Sequence, residues 1–235
     1  MRNYHNIFWT KYYELKFRPK KDVNDTVYMF HSIDDGKTDT KSFVSNKSSF
    51  AKFLENEISD RTPCALSELF SDSKEKRFAL TFDDVFENVY TNAYPILKKL
   101  GIPFTLFVSS GFIGKEGYLT AEQLKEIASD ALCTVGAHTV NHPLLRRAKN
   151  SYEEIVRSKA ELEGILGKEV KYFAYPYGSV YACSGKNIRQ AKKAGFEAAF
   201  STLRGVLPSN KNAYRFFLPR NNGDHLVKKL EERKI

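Results

Sequence analysis

Apolar positions along the 235-residue chain fall into short dense runs separated by stretches of longer period. Val27 to Phe30, Phe78 to Phe82, Phe104 to Val108, Thr134 to Ala137, Tyr172 to Tyr175, Ala198 to Ser201 and Arg215 to Leu218 have the length and apolar content of buried strands. Phe50 to Ile58, Tyr90 to Leu100, Thr120 to Ser129, Ser151 to Leu166 and Lys186 to Ala194 carry helical spacing instead. Gly101, Gly167 and Gly195 stand where three of these helices should stop, and Ser151 with Glu154 has the spacing of a capping box. Asp35-Gly36 marks a turn. Strands alternating with helices predict a largely parallel sheet, open or closed into a barrel, in a single α/β domain over residues 1–235. In the first 25 residues Tyr13, Leu15 and Phe17 alternate with polar positions, which predicts a half-buried strand in an N-terminal extension packed on the core. Docking of that segment on a membrane surface or a polyanion is the alternative.

Composition narrows the function classes. At 42% hydrophobic and 14% aromatic, without a low-complexity tract, the chain is neither disordered nor fibrous. The net charge of +9 is spread along the sequence and accompanies no helix-turn-helix, zinc-finger or RNA-binding signature, so no nucleic-acid partner is expected. It suits a phosphate-bearing or acidic substrate, or a solvated surface. Cys64, Cys133 and Cys183 form no C-x-x-C pair and read as thiols in a reducing compartment. The apolar run Ile7, Phe8, Trp9 is too short for a signal-peptide core, and no segment approaches the ~20 apolar residues of a membrane span. A cytoplasmic protein without stable membrane insertion is the expectation.

The chemistry gathers where strands end, as parallel α/β folds require. His31 follows one run, Asp83 and Asp84 another, His138 a third, Pro176-Tyr177-Gly178 a fourth and Arg220 a fifth. Five histidines in this length give only about 0.1 chance H-x-x-x-H pairs, so His138 and His142 are informative; on a helical turn both imidazoles would share a face. About 0.5 Asp-Asp pairs are expected by chance, so position decides. Asp34-Asp35 precedes a glycine and reads as turn chemistry, whereas Asp83-Asp84 caps an apolar strand. Two histidines and a carboxylate leave open positions on a metal, and the second carboxylate can act as base.

Thr81-Phe82-Asp83-Asp84, His138 to His142, and Phe173-Ala174-Tyr175-Pro176-Tyr177-Gly178, in this order, resemble the first three motifs of the polysaccharide deacetylases, the NodB-homology or carbohydrate esterase family 4 domain. The match spans roughly residues 27–220. It implies a distorted (β/α) barrel, Asp83 as catalytic base, and Asp84, His138 and His142 as ligands of a divalent metal, usually zinc. It also implies that the Tyr177 backbone N–H donates to the tetrahedral oxyanion.

Two departures from the pattern relocate two roles. The third motif lacks its arginine, and Arg220 in Leu218-Pro219-Arg220 resembles the arginine that orients the base in the Tyr-Pro-Tyr-Gly branch. His225 has no hydrophobic strand before it, whereas His31 does and lies 52 residues before Asp83. That placement is similar to the circularly permuted deacetylases acting on poly-N-acetylglucosamine, so His31 is the general acid expected and His225 the second choice. Tyr175, Tyr177 and Trp9 could stack on a sugar or pack in the core. The activity implied is removal of an N-acetyl group from a sugar or glycan, expected to be nucleotide-linked or lipid-linked given the charge and the cytoplasmic reading. Hydrolysis of a formyl group or cyclic imide, or carbohydrate binding without catalysis, are the alternatives.

Overall fold

The computed structural model describes residues 2–19, 25–35 and 43–232. A first helix, α1 (Arg2–Lys16), precedes β1 (Thr26–Phe30), the short β2 (Ser32–Ile33) and β3 (Val44–Ser45), α2 (Lys47–Asp60), β4 (Thr62–Pro63) and β5 (Arg77–Asp84). A π-turn over Val89–Ala93 leads into α3 (Tyr94–Leu100), followed by β6 (Phe104–Val108), α4 (Ala121–Ser129) and β7 (Cys133–Ala137). Then come α5 (Ser151–Leu166), β8 (Tyr172–Ala174), α6 (Gly185–Lys193), β9 (Ala198–Phe200), β10 (Asn221–Asn222) and α7 (Gly223–Glu232).

The main sheet runs β10-β1-β5-β6-β7-β8-β9, every pairing parallel, with β4 beside the start of β5. Its two ends meet. Ser201 N–H donates to the Leu218 carbonyl at 2.7 Å, Arg220 N–H to Leu203 at 3.0 Å, and the Asn221 amide exchanges bonds with the Gly205 backbone. The sheet therefore curls into a distorted, incomplete (β/α) barrel.

Period-2 alternation sorts the strand residues between two cores. Phe78, Leu80 and Phe82 of β5 face outward to the larger cluster, with Phe30 of β1, Phe50 and Phe53 of α2, and Phe104 of β6. Val27, Ala79, Phe107, Ala174 and Phe200 form a smaller inner cluster. Each buried ring contributes roughly 1.5–3 kcal/mol of apolar burial. The inner register of β5 continues from Ala79 through Thr81 to Asp83, which carries a carboxylate to the barrel's interior rim.

Helix ends follow the local sequence. Thr120 and Gln123 cap α4 reciprocally, and Gly101 ends α3 in the left-handed region at φ 66°. The capping box expected of Ser151 and Glu154 does not form: Asn150 is the cap position, Ser151 bonds Gln190, and the Glu154 carboxylate turns to the loop after β7. The N-terminal strand reading is also corrected. Tyr13 and Phe17 are four residues apart as well as alternating, and they stack at 5.6 Å along a helix while also meeting Tyr214. Arg215 to Leu218 gives no strand, only a single bridge from Leu218 to Phe200. Asp35 accepts the Lys47 N–H, while Gly36 lies outside the described residues. All three cysteines are buried and unpaired. No helix among the described residues is long and apolar enough to cross a membrane.

Candidate active site

A cavity of about 760 Å³ opens at the carboxyl ends of the strands, lined by His31, Asp83, Asp84, His138, His142 and Tyr177 among others. Backbone strain is concentrated there. Every non-glycine residue with positive φ among the described residues belongs to this rim: Asp84, Val85, Thr139, His142 and Tyr177. Such conformations cost of order 1–3 kcal/mol each and persist only where the surroundings enforce them.

Asp83 is buried and gripped bidentately by Arg220, with Nη1 to Oδ1 at 2.6 Å and Nη2 to Oδ2 at 2.7 Å. Arg220 is itself wholly buried, bonding also the Ser201 carbonyl and the Thr81 hydroxyl above the Phe107 ring. Burial works to raise the Asp83 carboxyl, but the Arg220 guanidinium and then His138 outweigh it and hold the group at about 2. Asp83 is thus a fixed carboxylate.

Asp84 points elsewhere. Its Oδ1 is buried with no hydrogen-bond partner, and the Nε2 atoms of His142 and His138 lie 3.4 and 3.7 Å from it. One ligand atom from each of the three residues falls within 4.8 Å of the others. The 3.4 and 3.7 Å separations from Asp84 are long for hydrogen bonds and lie near the ~3.3 Å edges of a tetrahedron with ~2.0–2.1 Å bonds to zinc. An orphaned carboxylate oxygen and two imidazole lone pairs therefore fit a divalent cation. His138 Nδ1 donates to the Ala174 carbonyl at 2.8 Å, which leaves Nε2 as the lone-pair nitrogen, and burial pushes the group down to about 4, so the ring is neutral. The two histidines do not share a helical face as the spacing suggested. They sit on a loop turned by Thr139 at φ 67° and His142 at φ 53°, in which the Thr139 hydroxyl accepts the His142 N–H.

Tyr177 adopts φ 59° and packs against His142 at 4.7 Å between ring centroids. Thr202 holds this turn through its hydroxyl to the Tyr177 carbonyl and its N–H to Gly178. A Cβ on Gly178 would come within 2.4 Å of the Thr202 nitrogen, so glycine is required there. Among the described residues no acceptor takes the Tyr177 N–H. His31 lines the same cavity, its Nδ1 2.9 Å from the Asp224 carboxylate and its ring 4.6 Å from Phe43. Burial opposes a charged His31, but the bond to Asp224 and the charge of Asp83 outweigh it, so the imidazole titrates above its ordinary value.

A profile described as polysaccharide deacetylase matches residues 71–199, more than half of the chain. The chain belongs to the polysaccharide deacetylase family. The poly-beta-1,6-N-acetyl-D-glucosamine N-deacetylase of Staphylococcus aureus is 28% identical over 97% of this chain and 81% of its own length. A polysaccharide deacetylase from Bacillus cereus superimposes with a TM-score of 0.77 at 25% identity, covering 89% of this chain and 68% of that one. IcaB from Ammonifex degensii gives 0.76 at 26% identity, covering 87% and 93% respectively. The chain shares the fold of these two structures.

Within this deacetylase fold the residues singled out in the sequence converge, apart from three. His225 lies on a separate groove with Arg18 and Arg204, not on the strand-end cavity. Trp9 lines a small groove beside Arg146 and Phe217, and Tyr175 is buried in the core with its hydroxyl on the Phe216 carbonyl. Asp224 was not singled out. It is buried at the start of α7, 193 residues from His31, and also accepts the Ser45 hydroxyl at 2.8 Å.

Proposed function

We propose that the chain is a metal-dependent N-deacetylase of an N-acetylglucosamine polymer. The observation that carries this reading is the convergence of the orphaned Asp84 oxygen with the His138 and His142 nitrogens, in one cavity with the Asp83–Arg220 and His31–Asp224 pairs. Zinc or a similar divalent ion held by Asp84, His138 and His142 would supply Lewis acidity, polarising the amide carbonyl and acidifying the attacking water.

The protein's own groups complete the chemistry. Asp83, kept ionised and oriented by Arg220, accepts the proton of the attacking water. The Tyr177 N–H donates to the oxygen that becomes negative as the carbonyl carbon turns tetrahedral. His31, charged with the help of Asp224, gives its proton to the departing sugar nitrogen, and acetate leaves. Phe43, Phe86 and Tyr177 offer apolar walls for the sugar faces and the acetyl methyl. The catalytic unit takes in the 27–220 core and continues to Asp224, whose carboxylate supports His31, with 1–25 as an extension on it.

The name of the Staphylococcus aureus relative supports a polymeric substrate rather than the nucleotide- or lipid-linked sugar suggested by charge alone. The test is acetate release from β-1,6-linked N-acetylglucosamine oligomers before and after chelation. Acetate released, lost on chelation and restored by zinc is the expected outcome. Acetate release untouched by chelation would sink the metal reading, and hydrolysis of formyl amides alone would sink the N-acetyl reading.

A further inference from the structure

The loop from His138 to His142 pays for its shape in backbone strain, and something outside it must hold it. Thr139 and His142 both occupy the left-handed region, and Thr139 is wholly buried. On one side the loop is laced to the residues after β6: Ser110 N–H donates to the Thr139 carbonyl at 3.1 Å and Gly111 N–H to Val140 at 3.0 Å. On the other side stands the first turn of α5. Glu154 Oε2 accepts the N–H groups of Val140 and Asn141 at 3.1 and 2.9 Å, and Oε1 accepts the Asn141 side-chain amide at 2.8 Å. The carboxylate that seemed destined to cap its own helix is spent on the loop between two histidines. Seven residues on, at the same face of α5, Glu161 accepts the Ser110 hydroxyl at 2.5 Å, so one helix face grips both loops.

We propose that Glu154 is a positioning residue that fixes the backbone between His138 and His142 and thereby sets the affinity of the site for a divalent cation. The inference rests on the metal reading above. A carboxylate is the side chain suited to the task, because it alone offers acceptors on both oxygens to three donors converging from the loop. With Glu154 gone, the Val140 and Asn141 amides lose their acceptor, Thr139 and His142 relax toward ordinary φ values, and His142 Nε2 swings away from Asp84. His138 is anchored independently through Ala174 and stays in place.

The test measures zinc affinity by competition with a chromophoric chelator, together with hydrogen exchange of the peptide spanning 138–143 in the metal-free protein. Glu154→Ala is expected to weaken zinc binding about 10- to 100-fold, the usual cost of removing a group that orients a ligand, and to speed exchange in that peptide while leaving β5 protected. Glu153→Ala removes an exposed charge from the same helical turn and should leave both readouts at wild-type values, which separates positioning from long-range attraction of the cation. If Glu154→Ala does not fold, Glu154→Gln carries the same measurements, because its amide cannot accept on both arms. Wild-type zinc affinity and exchange in the folded variant would overturn the proposal. A wild-type protein that takes up no zinc would instead overturn the metal reading, and the exchange comparison would still decide whether Glu154 holds the loop.

Discussion

Two histidines face one cavity, and what stands behind each ring differs. His138 turns its Nδ1 to a backbone carbonyl, that of Ala174, on the β7–β8 side of the barrel. His31 turns its Nδ1 to a carboxylate, Asp224, on the β1–α7 side. A neutral carbonyl fixes the tautomer without rewarding a positive ring, so burial wins and His138 falls to about 4, ready to offer a lone pair. A carboxylate does reward the imidazolium, and His31 rises above the ordinary value despite its burial. In the proposed mechanism the same side chain serves as ligand or acid according to its acceptor.

That contrast can be broken by substitution. His138→Ala should cost both the cation and essentially all turnover, with elemental analysis falling below about a tenth of an ion per chain. His31→Ala should keep its cation while kcat drops by roughly 10²–10⁴, the range for loss of a general acid. If His31→Ala emptied the metal site as well, the division of labour between the two rings would be wrong. Arg220→Ala leaves the Asp83 charge buried and unpaired, and denaturant unfolding should show a loss of about 3–5 kcal/mol.

The smallest expected effect sharpens the comparison most. In the proposed mechanism His31 works in its protonated form, so activity is expected to fall as pH rises through its folded pKa, and a raised pKa carries the alkaline limb above the unperturbed histidine range. Asp224→Asn removes the carboxylate but not the burial, which moves that limb downward; each unit of movement costs about tenfold in rate at pH values above it. A pH–rate profile with an unmoved alkaline limb would remove His31 from the acid's role.

How much of this was legible in the sequence depended on distance along the chain. Apolar runs such as Phe78 to Phe82 and Phe104 to Val108 were legible because burial on both faces leaves them no other composition. Arg220 and Asp83 could be paired only through the resemblance, since their contact crosses 137 positions. Asp224 carried no signal at all: a lone aspartate after Gly223 looks like any helix start until α7 is folded against β1. Local patterns misled where tertiary contacts outbid them. Tyr13 and Phe17 fit either a strand or a helix, and the rings of Tyr214 and Phe217 decide for the helix. Ser151 and Glu154 matched a capping box, yet the amides of Val140 and Asn141 were the stronger claimants for the carboxylate. Phe216 and Phe217 suggested a strand, but Phe217 is drawn into the core and the chain bridges the sheet only at Leu218.

The central claim is the triad of Asp84, His138 and His142, and one measurement reaches it directly: an anomalous difference map from crystals grown with zinc, recorded at the zinc edge. A single dominant peak is expected within about 2.0–2.2 Å of the Asp84 carboxylate and both Nε2 atoms. A fully diffracting crystal with no peak among these three residues, or with its strongest peak at other side chains, would contradict it.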